Sequence, residues 1–232
     1  MCTVSFVKLN DKIIITSNRD EQSDRLAIEP HKCFVNNKNL IFPKDPDAGG
    51  TWFVADEFGN ALVLLNGAEE KHIQKESYQK SRGLIVLEMM SNHSAIDYWK
   101  EINLENIAPF TLVLFQENKL YQLRWNEILK NKLELDTNQF HIWSSSTLYS
   151  KEIRTKRAQW FFDFIANTKD ISEHKMIDFH QNTESENADF GLIINRNGIL
   201  KTLSITQFVR ENQISKMRYF DLINELNFMN SI

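Results

Sequence analysis

The sequence predicts a layered α+β fold in which antiparallel sheets pack against paired helices. Two observations favour this class: the predicted strands come in hairpin pairs, and the predicted helices come in consecutive pairs between the strand blocks. A third observation is that the chain has no P-loop, dinucleotide-binding or nucleophile-elbow glycine motif. A doubly wound nucleotide-binding fold, which alternates strands and helices, is therefore disfavoured.

The first half of the chain begins with strands. Residues 4–7 and 13–15 predict a hairpin, with turn residues between them, whose second strand ends in a loop at residues 17–21. Residues 29–50 hold three of the four prolines and are predicted to form an irregular loop with short strands beside a cleft. A second hairpin is predicted for residues 51–55 and 61–65.

Helical spacing of apolar residues begins at Ser81 and indicates two consecutive helices, the second with Ser94 as a candidate N-cap. A longer helix is predicted for residues 149–167, with Arg157 among its solvated basic residues, and a further helix for residues 171–179. Residues 217–222 fit either a strand or a helix. The remaining predicted strands are residues 110–115, 120–125, 141–144, 190–194 and 199–205.

Composition narrows the class of protein. The chain has 232 residues, of which 42% are hydrophobic, so we expect one domain over residues 1–232 with a substantial core. The net charge of −4 does not suggest binding to nucleic acid. No apolar run reaches the roughly 18 to 20 residues of a membrane span, and no leader pattern is present, so we expect a cytoplasmic protein.

The chain has too few cysteines for a disulfide-stabilised domain, and its histidines lack the spacing of a metal site. Only Cys2 and Cys33 occur, which excludes a disulfide scaffold. The six histidines are scattered without an HExxH motif or a pair four residues apart, so no metal site is expected.

The amino terminus carries the clearest chemical signal. If Met1 is removed, which a small second residue permits, Cys2 becomes the first residue. It then combines a thiol with an α-amine whose usual pKa is about 8. This arrangement is the one that an N-terminal nucleophile hydrolase uses.

Five short motifs occur along the chain. They are Met1-Cys2-Thr3-Val4, Asn18-Arg19-Asp20-Glu21, Gly49-Gly50-Thr51-Trp52, Asn66 at a strand end, and Ser81-Arg82-Gly83 opening a helix. In this order they resemble the NRDE family, also called the transport and Golgi organisation protein 2 family. That family is similar to the cysteine N-terminal nucleophile hydrolases, such as penicillin acylases and bile-salt hydrolases. The resemblance therefore implies a four-layer αββα sandwich of mainly antiparallel sheets.

The resemblance also implies roles for particular residues. Cys2 matches the nucleophile, with its α-amine as general base, and Arg19 matches the arginine beside it. Asp20 would pair with that arginine or position the amine, although its spacing differs from that in the hydrolases. Asn66 matches an oxyanion-hole residue. The predicted substrate-binding residues are Trp52, Ser145 and Ser146.

Two departures from the family pattern bear on catalysis. Ser146 stands where the family tends to have an asparagine, and a hydroxyl can donate only one hydrogen bond. The segment that ends at Gly191 lacks the arginine of the family's Gly-Thr-Arg segment. A second cationic residue is therefore expected to be absent.

Each motif also has a structural interpretation. Residues 19–21 fit an ion-paired turn, Gly49 to Trp52 fit backbone and core architecture, and Asn66-Gly67 fits a simple turn. Two functions stay open. One is an amidohydrolase that acts on a small molecule and needs no cofactor. The other is a binding or trafficking protein with haem as a ligand, held by the Cys2 thiolate or a histidine, since eukaryotic members of the family are linked to haem mobilisation.

Overall fold

The computed structural model describes residues 3–232, which form two antiparallel seven-stranded sheets and four helices. The strands are β1 (Thr3–Leu9), β2 (Lys12–Gln22), β3 (Ile28–Val35), β4 (Lys38–Lys44), β5 (Phe53–Asp56), β6 (Ala61–Asn66), β7 (Phe110–Gln116), β8 (Lys119–Trp125), β9 (Lys130–Leu135), β10 (His141–Ser144), β11 (Asn195–Arg196), β12 (Leu200–Glu211), β13 (Ile214–Asp221) and β14 (Leu226–Ser231). The helices are α1 (Arg82–Ser91), α2 (Ala95–Glu101), α3 (Lys151–Asn167) and α4 (Glu173–Asn182).

The two sheets stack face to face and are covered by helices on both sides. The first sheet has the order β10-β1-β2-β12-β13-β14, with β11 paired to β12, and the second runs as a meander from β3 to β9. The larger apolar core lies between the sheets and includes residues of α1 and α2. A smaller core joins α3 and α4 to the outer face of the first sheet. The predicted αββα sandwich is thus confirmed.

Alternation along β1 and β2 decides which side chains reach each core. Val4, Phe6 and Ile15 belong to the core between the sheets, whereas Val7 and Ile14 contact the helix layer. Successive side chains of a strand point to opposite faces. The same rule separates the polar residues at the far end of β2.

The first hairpin is confirmed, but the loop predicted for residues 17–21 is wrong. β2 continues to Gln22 because β12 pairs along it, with Leu200 opposite Gln22 at the end of the ladder. The turn residue Asn10 has a φ of 53°, which suits the tight connection. The Asn-Arg-Asp-Glu motif is therefore held in a buried strand.

The short strands predicted within residues 29–50 are present, but the irregular loop predicted around them is wrong over most of that range. β3 and β4 form a hairpin around Asn36 and Asn37, whose φ values of 48° and 63° fit a two-residue turn. Pro30 is tolerated because β3 is an edge strand whose pairing is irregular between Ile28 and His31.

The helix predictions are confirmed, and each helix is capped by a serine. The side chains of Ser81, Ser94, Ser150 and Ser172 accept a backbone hydrogen bond from the first turn of α1, α2, α3 and α4. Residues 190–194 are not a strand, and of the two alternatives for residues 217–222 the strand is correct, since residues 217–221 lie in β13. The exposed edge strand β9 was not predicted, because only Leu133 and Leu135 alternate with polar residues in it.

Within residues 3–232, none of the helices is both long and apolar enough to cross a membrane. Residues 3–232 contain no group of three or more histidine, cysteine, aspartate or glutamate side chains arranged to hold a metal ion.

Candidate active site

Arg19 is a buried cation held between the two sheets. Its side chain is 1% exposed, and its guanidinium lies 4.5 Å from the centre of the Trp52 ring. Nη1 donates to the carbonyl oxygen of Arg25 at 2.7 Å, and Nη2 lies 3.5 Å from Asp45 Oδ2. Stacking on an aromatic face and pairing with a carboxylate suit the planar guanidinium. Arg19 thus brings a fixed positive charge to this end of β2.

Asp20 points to the opposite face of the sheet, so the predicted pairing of Asp20 with Arg19 is wrong. The two residues are neighbours in a strand, and their side chains must diverge. Asp20 Oδ2 accepts from the Tyr149 hydroxyl at 2.7 Å, and Oδ1 accepts from Thr202 Oγ1 at 2.7 Å. Burial, and then the charge of Asp20, raise the pKa of Tyr149 well above its usual value. Tyr149 therefore stays a neutral donor to Asp20.

Asn66 ends β6 opposite Phe110. Its backbone oxygen accepts from Ser145 Oγ at 2.7 Å. Its side-chain Oδ1 is buried and has no hydrogen-bond partner among residues 3–232. Buried polar atoms without a partner are rare and mark positions where another group completes the site.

Three consecutive serines connect the start of β1 to Asn66. Ser144 lies opposite Thr3 in the β1–β10 pairing, with their hydroxyl oxygens 3.3 Å apart. Ser145 bonds to the backbone of Asn66, and Ser146 Oγ donates to the Glu70 carbonyl at 3.3 Å. The observed contacts of Ser145 and Ser146 are thus structural, and their substrate-binding role stays a prediction.

The glycine motifs bring the remaining segments to the same place. A Cβ atom on Gly50 would lie 2.3 Å from the backbone carbon of Gly83, so only glycine permits this approach. The Thr51 amide donates to the Gly83 carbonyl at 3.2 Å. The strand that follows Trp52 and the start of α1 are therefore locked together, and the structural interpretation of these glycines holds alongside any functional one.

A pocket of about 400 Å³ opens beside these segments. Asn66 and Arg82 both line it, together with His72 and Thr147. Ser145 and Ser146 line a separate cavity of about 150 Å³, and Trp52 is not among the lining residues of either. The larger volume falls in the range of small-molecule sites.

Met1 and Cys2 lie outside the described residues, so the prediction of Cys2 as nucleophile is not tested by the geometry. Thr3, the next residue in the chain, is buried and lies opposite both Asn18 and Ser144. Cys33 is a free, half-buried thiol on β3.

Arg157 was predicted to be solvated, and the structure corrects this. The side chain is fully buried, its guanidinium stacks 3.6 Å from the centre of the Tyr149 ring, and it donates to Thr3 Oγ1 and to the Gly191 carbonyl. Phe161, one helical turn further on, is equally buried, and that spacing is the sequence signal. The segment at Gly191 therefore does contact a buried cation, supplied by α3 instead of by a local arginine.

His180 was also not singled out by the sequence. Its Nε2 lies 2.7 Å from Ser5 Oγ, and its Nδ1 bonds to Asn18 Oδ1. Asn18 Nδ2 in turn donates to the carbonyls of His180 and Leu192 at 3.0 and 2.7 Å. Burial, and then the charge of Arg157, lower the pKa of His180 to about 3. His180 is thus neutral at physiological pH and fastens α4 to the first hairpin.

The stacked antiparallel sheets with helix pairs on both outer faces form an αββα sandwich, and a polar cluster lies at the start of β1. The family model described as Transport and Golgi organisation 2 matches residues 1–219, so the chain belongs to that family.

Solved structures support the fold at low sequence identity. The chain is similar to a Caenorhabditis elegans orthologue of N-acylethanolamine-hydrolyzing acid amidase, with a TM-score of 0.62 and 12% identity over 89% of this chain and 92% of that one. It is also similar to a Clostridium perfringens conjugated bile acid hydrolase in which alanine replaces the cysteine at position 2, with a TM-score of 0.52 and 10% identity over 100% and 96% of the chains. No curated protein matches the sequence significantly.

Proposed function

We propose that this protein hydrolyses a carbon–nitrogen amide bond, with Cys2 as an N-terminal nucleophile. One observation carries the proposal: Thr3, which directly follows Cys2, lies between the strand that bears Arg19 and the serine segment that holds Asn66. The names of two proteins with this fold, an acid amidase and a conjugated bile acid hydrolase, also describe hydrolases.

The proposed reaction has two stages. The Cys2 sulfur attacks the amide carbonyl carbon, its proton passes to the Cys2 α-amine, and a tetrahedral oxyanion forms. The carbon–nitrogen bond then breaks, and the leaving amine takes the proton from the α-amine. The acyl group remains on sulfur as a thioester. In the second stage, water gives a proton to the α-amine as it attacks the thioester. The carbon–sulfur bond breaks, the carboxylic acid leaves, and the α-ammonium returns the proton to sulfur, which restores the thiol.

Arg19 and Asn66 have distinct roles in this proposal. The buried charge of Arg19 favours the thiolate over the thiol. An Asn66 Nδ2–H donor would stabilise the oxyanion, a contact worth about 2.7 to 4 kcal/mol in comparable sites. Asp20 sits in its own network behind the sheet, so we propose that it supports the strand end through Tyr149 and Thr202.

The test is hydrolysis of a panel of N-acyl amides, with the released amine as readout. We expect Cys2→Ala to abolish release, and Asn66→Ala to lower kcat by about 100-fold to 1000-fold. Cys33→Ala is the matched control, because it removes the other thiol and should leave the rate unchanged. Amine release by Cys2→Ala at the wild-type rate would exclude Cys2 as the nucleophile.

A second candidate function is binding of haem without catalysis. His72 favours it, because its Nδ1 is buried without a partner among residues 3–232 and the residue lines the pocket of about 400 Å³. Burial, and then the nearby Arg82 charge, lower the pKa of His72, which keeps the ring neutral and able to ligate iron. Haem titration followed by absorbance should give a Soret shift that His72→Ala or Cys2→Ala removes and the exposed control His93→Ala retains. A wild-type titration without any shift would contradict haem binding.

A further inference from the structure

The pocket of about 400 Å³ has an unusual balance of charge. Its nine lining residues include the cations Lys80 and Arg82 but no aspartate or glutamate. The whole chain has 31 acidic and 27 basic residues, so a pocket without a carboxylate differs from the protein's average. A cleft lined by one sign of charge raises the local concentration of ligands with the opposite sign.

Among the cations of this pocket, Arg82 has the most N–H donors without a hydrogen-bond partner among residues 3–232. Its Nη1 donates to the Pro109 carbonyl at 3.1 Å, and no other hydrogen bond of its guanidinium is found within residues 3–232. No described carboxylate oxygen lies within 4.0 Å of it, whereas Arg25 contacts Asp45 at 2.8 Å and Lys80 contacts Glu88 at 2.5 Å. A guanidinium has five N–H donors, so most of those on Arg82 remain available to a ligand.

The surroundings of Arg82 favour a charged ligand. Burial lowers its pKa to about 10, so the group is partly desolvated and still protonated at neutral pH. A partly desolvated charge with no carboxylate in direct contact gains from an anion that enters the pocket. A planar guanidinium fork matches the two oxygens of a carboxylate.

Arg82 is also held in a fixed position. It is the first residue of α1, between the capping residue Ser81 and Gly83, whose backbone lies directly against Gly50. The Thr51 amide bonds to the Gly83 carbonyl on the same side. A ligand therefore meets a preorganised donor, which reduces the entropic cost of binding.

We propose that Arg82 binds a carboxylate group of the substrate, so that the preferred substrates are amides that carry a carboxylate, such as N-acyl amino acids. This substrate class rests on the proposed hydrolase function, because Asn66 lines the same pocket and would face the reacting carbonyl. The carboxylate site itself does not depend on hydrolysis.

The experiment uses the full-length Cys2→Ala protein, which binds amides without cleaving them. Isothermal titration compares N-butanoylglycine with its uncharged analogue N-butanoylglycinamide. We expect the carboxylate to bind about tenfold more tightly, as is typical of one charge-assisted contact. Adding Arg82→Gln should abolish this preference, and Arg82→Lys should retain part of it. Arg154→Gln, which alters an arginine of the neighbouring small cavity, should leave the preference unchanged.

Equal affinity for the two ligands, or a preference that survives in a folded Arg82→Gln protein, would overturn the proposal. If Arg82→Gln does not fold, the comparison of the two ligands on the Cys2→Ala protein and on Arg82→Lys decides the question. A different result would show that only the hydrolase proposal fails. In that case the wild-type protein would still prefer N-butanoylglycine to its amide analogue but would release no glycine.

Discussion

The imidazole of His180 is enclosed by α4 and the first two strands, and both ring nitrogens are hydrogen bonded. Protonation would place an extra positive charge in a buried site that already contains Arg157. At the scale of single residues, the interior of this fold therefore depends on one histidine staying neutral. That requirement makes stability dependent on pH.

The pH dependence follows from the direction of the pKa shift. The pKa of His180 is about 3 in the folded chain and near 6.5 when unfolded, so below pH 6.5 the unfolded state binds more protons. The free energy of unfolding should then fall by up to about 1.4 kcal/mol per pH unit as the pH drops from 6.5 to 3. Above pH 7 the contribution of His180 to stability is complete.

Urea unfolding at pH 7.0, 6.0 and 5.0 measures this slope. His180→Gln should unfold more easily at pH 7 but show a shallower slope, whereas His174→Gln, an exposed position on the same helix, should keep the wild-type slope. Identical slopes for the wild type and His180→Gln would show that His180 does not carry the effect.

Arg157 gives a second prediction at the residue scale. Arg157→Met removes the donors to Thr3 Oγ1, Phe190 O and Gly191 O, and leaves the acceptors on Thr3 and Gly191 buried. We expect a loss of about 3 kcal/mol in the free energy of unfolding, measured by denaturant titration. Lys156→Met, an exposed change at the adjacent position, should cost less than about 0.5 kcal/mol. A similar small cost for both variants would contradict the structural role of Arg157.

At the scale of elements, the start of α1 is placed by its contact with the segment before β5. Two glycines allow the two backbones to touch, and this contact fixes Arg82 beside the pocket. Helix propensity alone would set only where α1 begins. Its position relative to Trp52 and Asn66 depends on the close approach of Gly50 and Gly83.

Gly50→Ala tests this contact. The new Cβ would meet backbone atoms of Gly83 and Leu84 at 2.3 and 2.6 Å, so α1 must shift. We expect destabilisation of about 2 kcal/mol or more by thermal unfolding, with weaker ligand binding in the pocket. Gly198→Ala is the control, because open space surrounds that position and only its φ of 73° opposes the change. We expect Gly198→Ala to lower the free energy of unfolding by about 1 kcal/mol. Equal losses for the two variants would argue against the contact.

At the scale of the whole molecule, four separated sequence motifs converge where the two sheets meet the start of α1. Arg19 stacks on Trp52, Thr51 bonds to Gly83, and Arg82 shares a pocket with Asn66. None of these contacts joins residues that are close in sequence. The αββα architecture is what brings them together.

Local signals in the sequence were enough to predict most elements, because turns such as that at Asn10 and caps such as Ser94 depend on neighbouring residues. They failed where long-range pairing decides, as at residues 17–21, which β12 holds in a strand. Burial of Arg157 could have been predicted from its spacing to Phe161, and the opposite directions of Arg19 and Asp20 from strand alternation. The pocket at Arg82 could not, since it requires the contact between Gly50 and Gly83.

The central claim is that Cys2 acts as an N-terminal nucleophile, and it requires that Met1 be removed. A Cys2 that remains joined to Met1 has no free α-amine to serve as base. Mass measurement of the amino-terminal peptide of the purified protein tests this directly. We predict a peptide that begins at Cys2, and a protein that retains Met1 would contradict the mechanism.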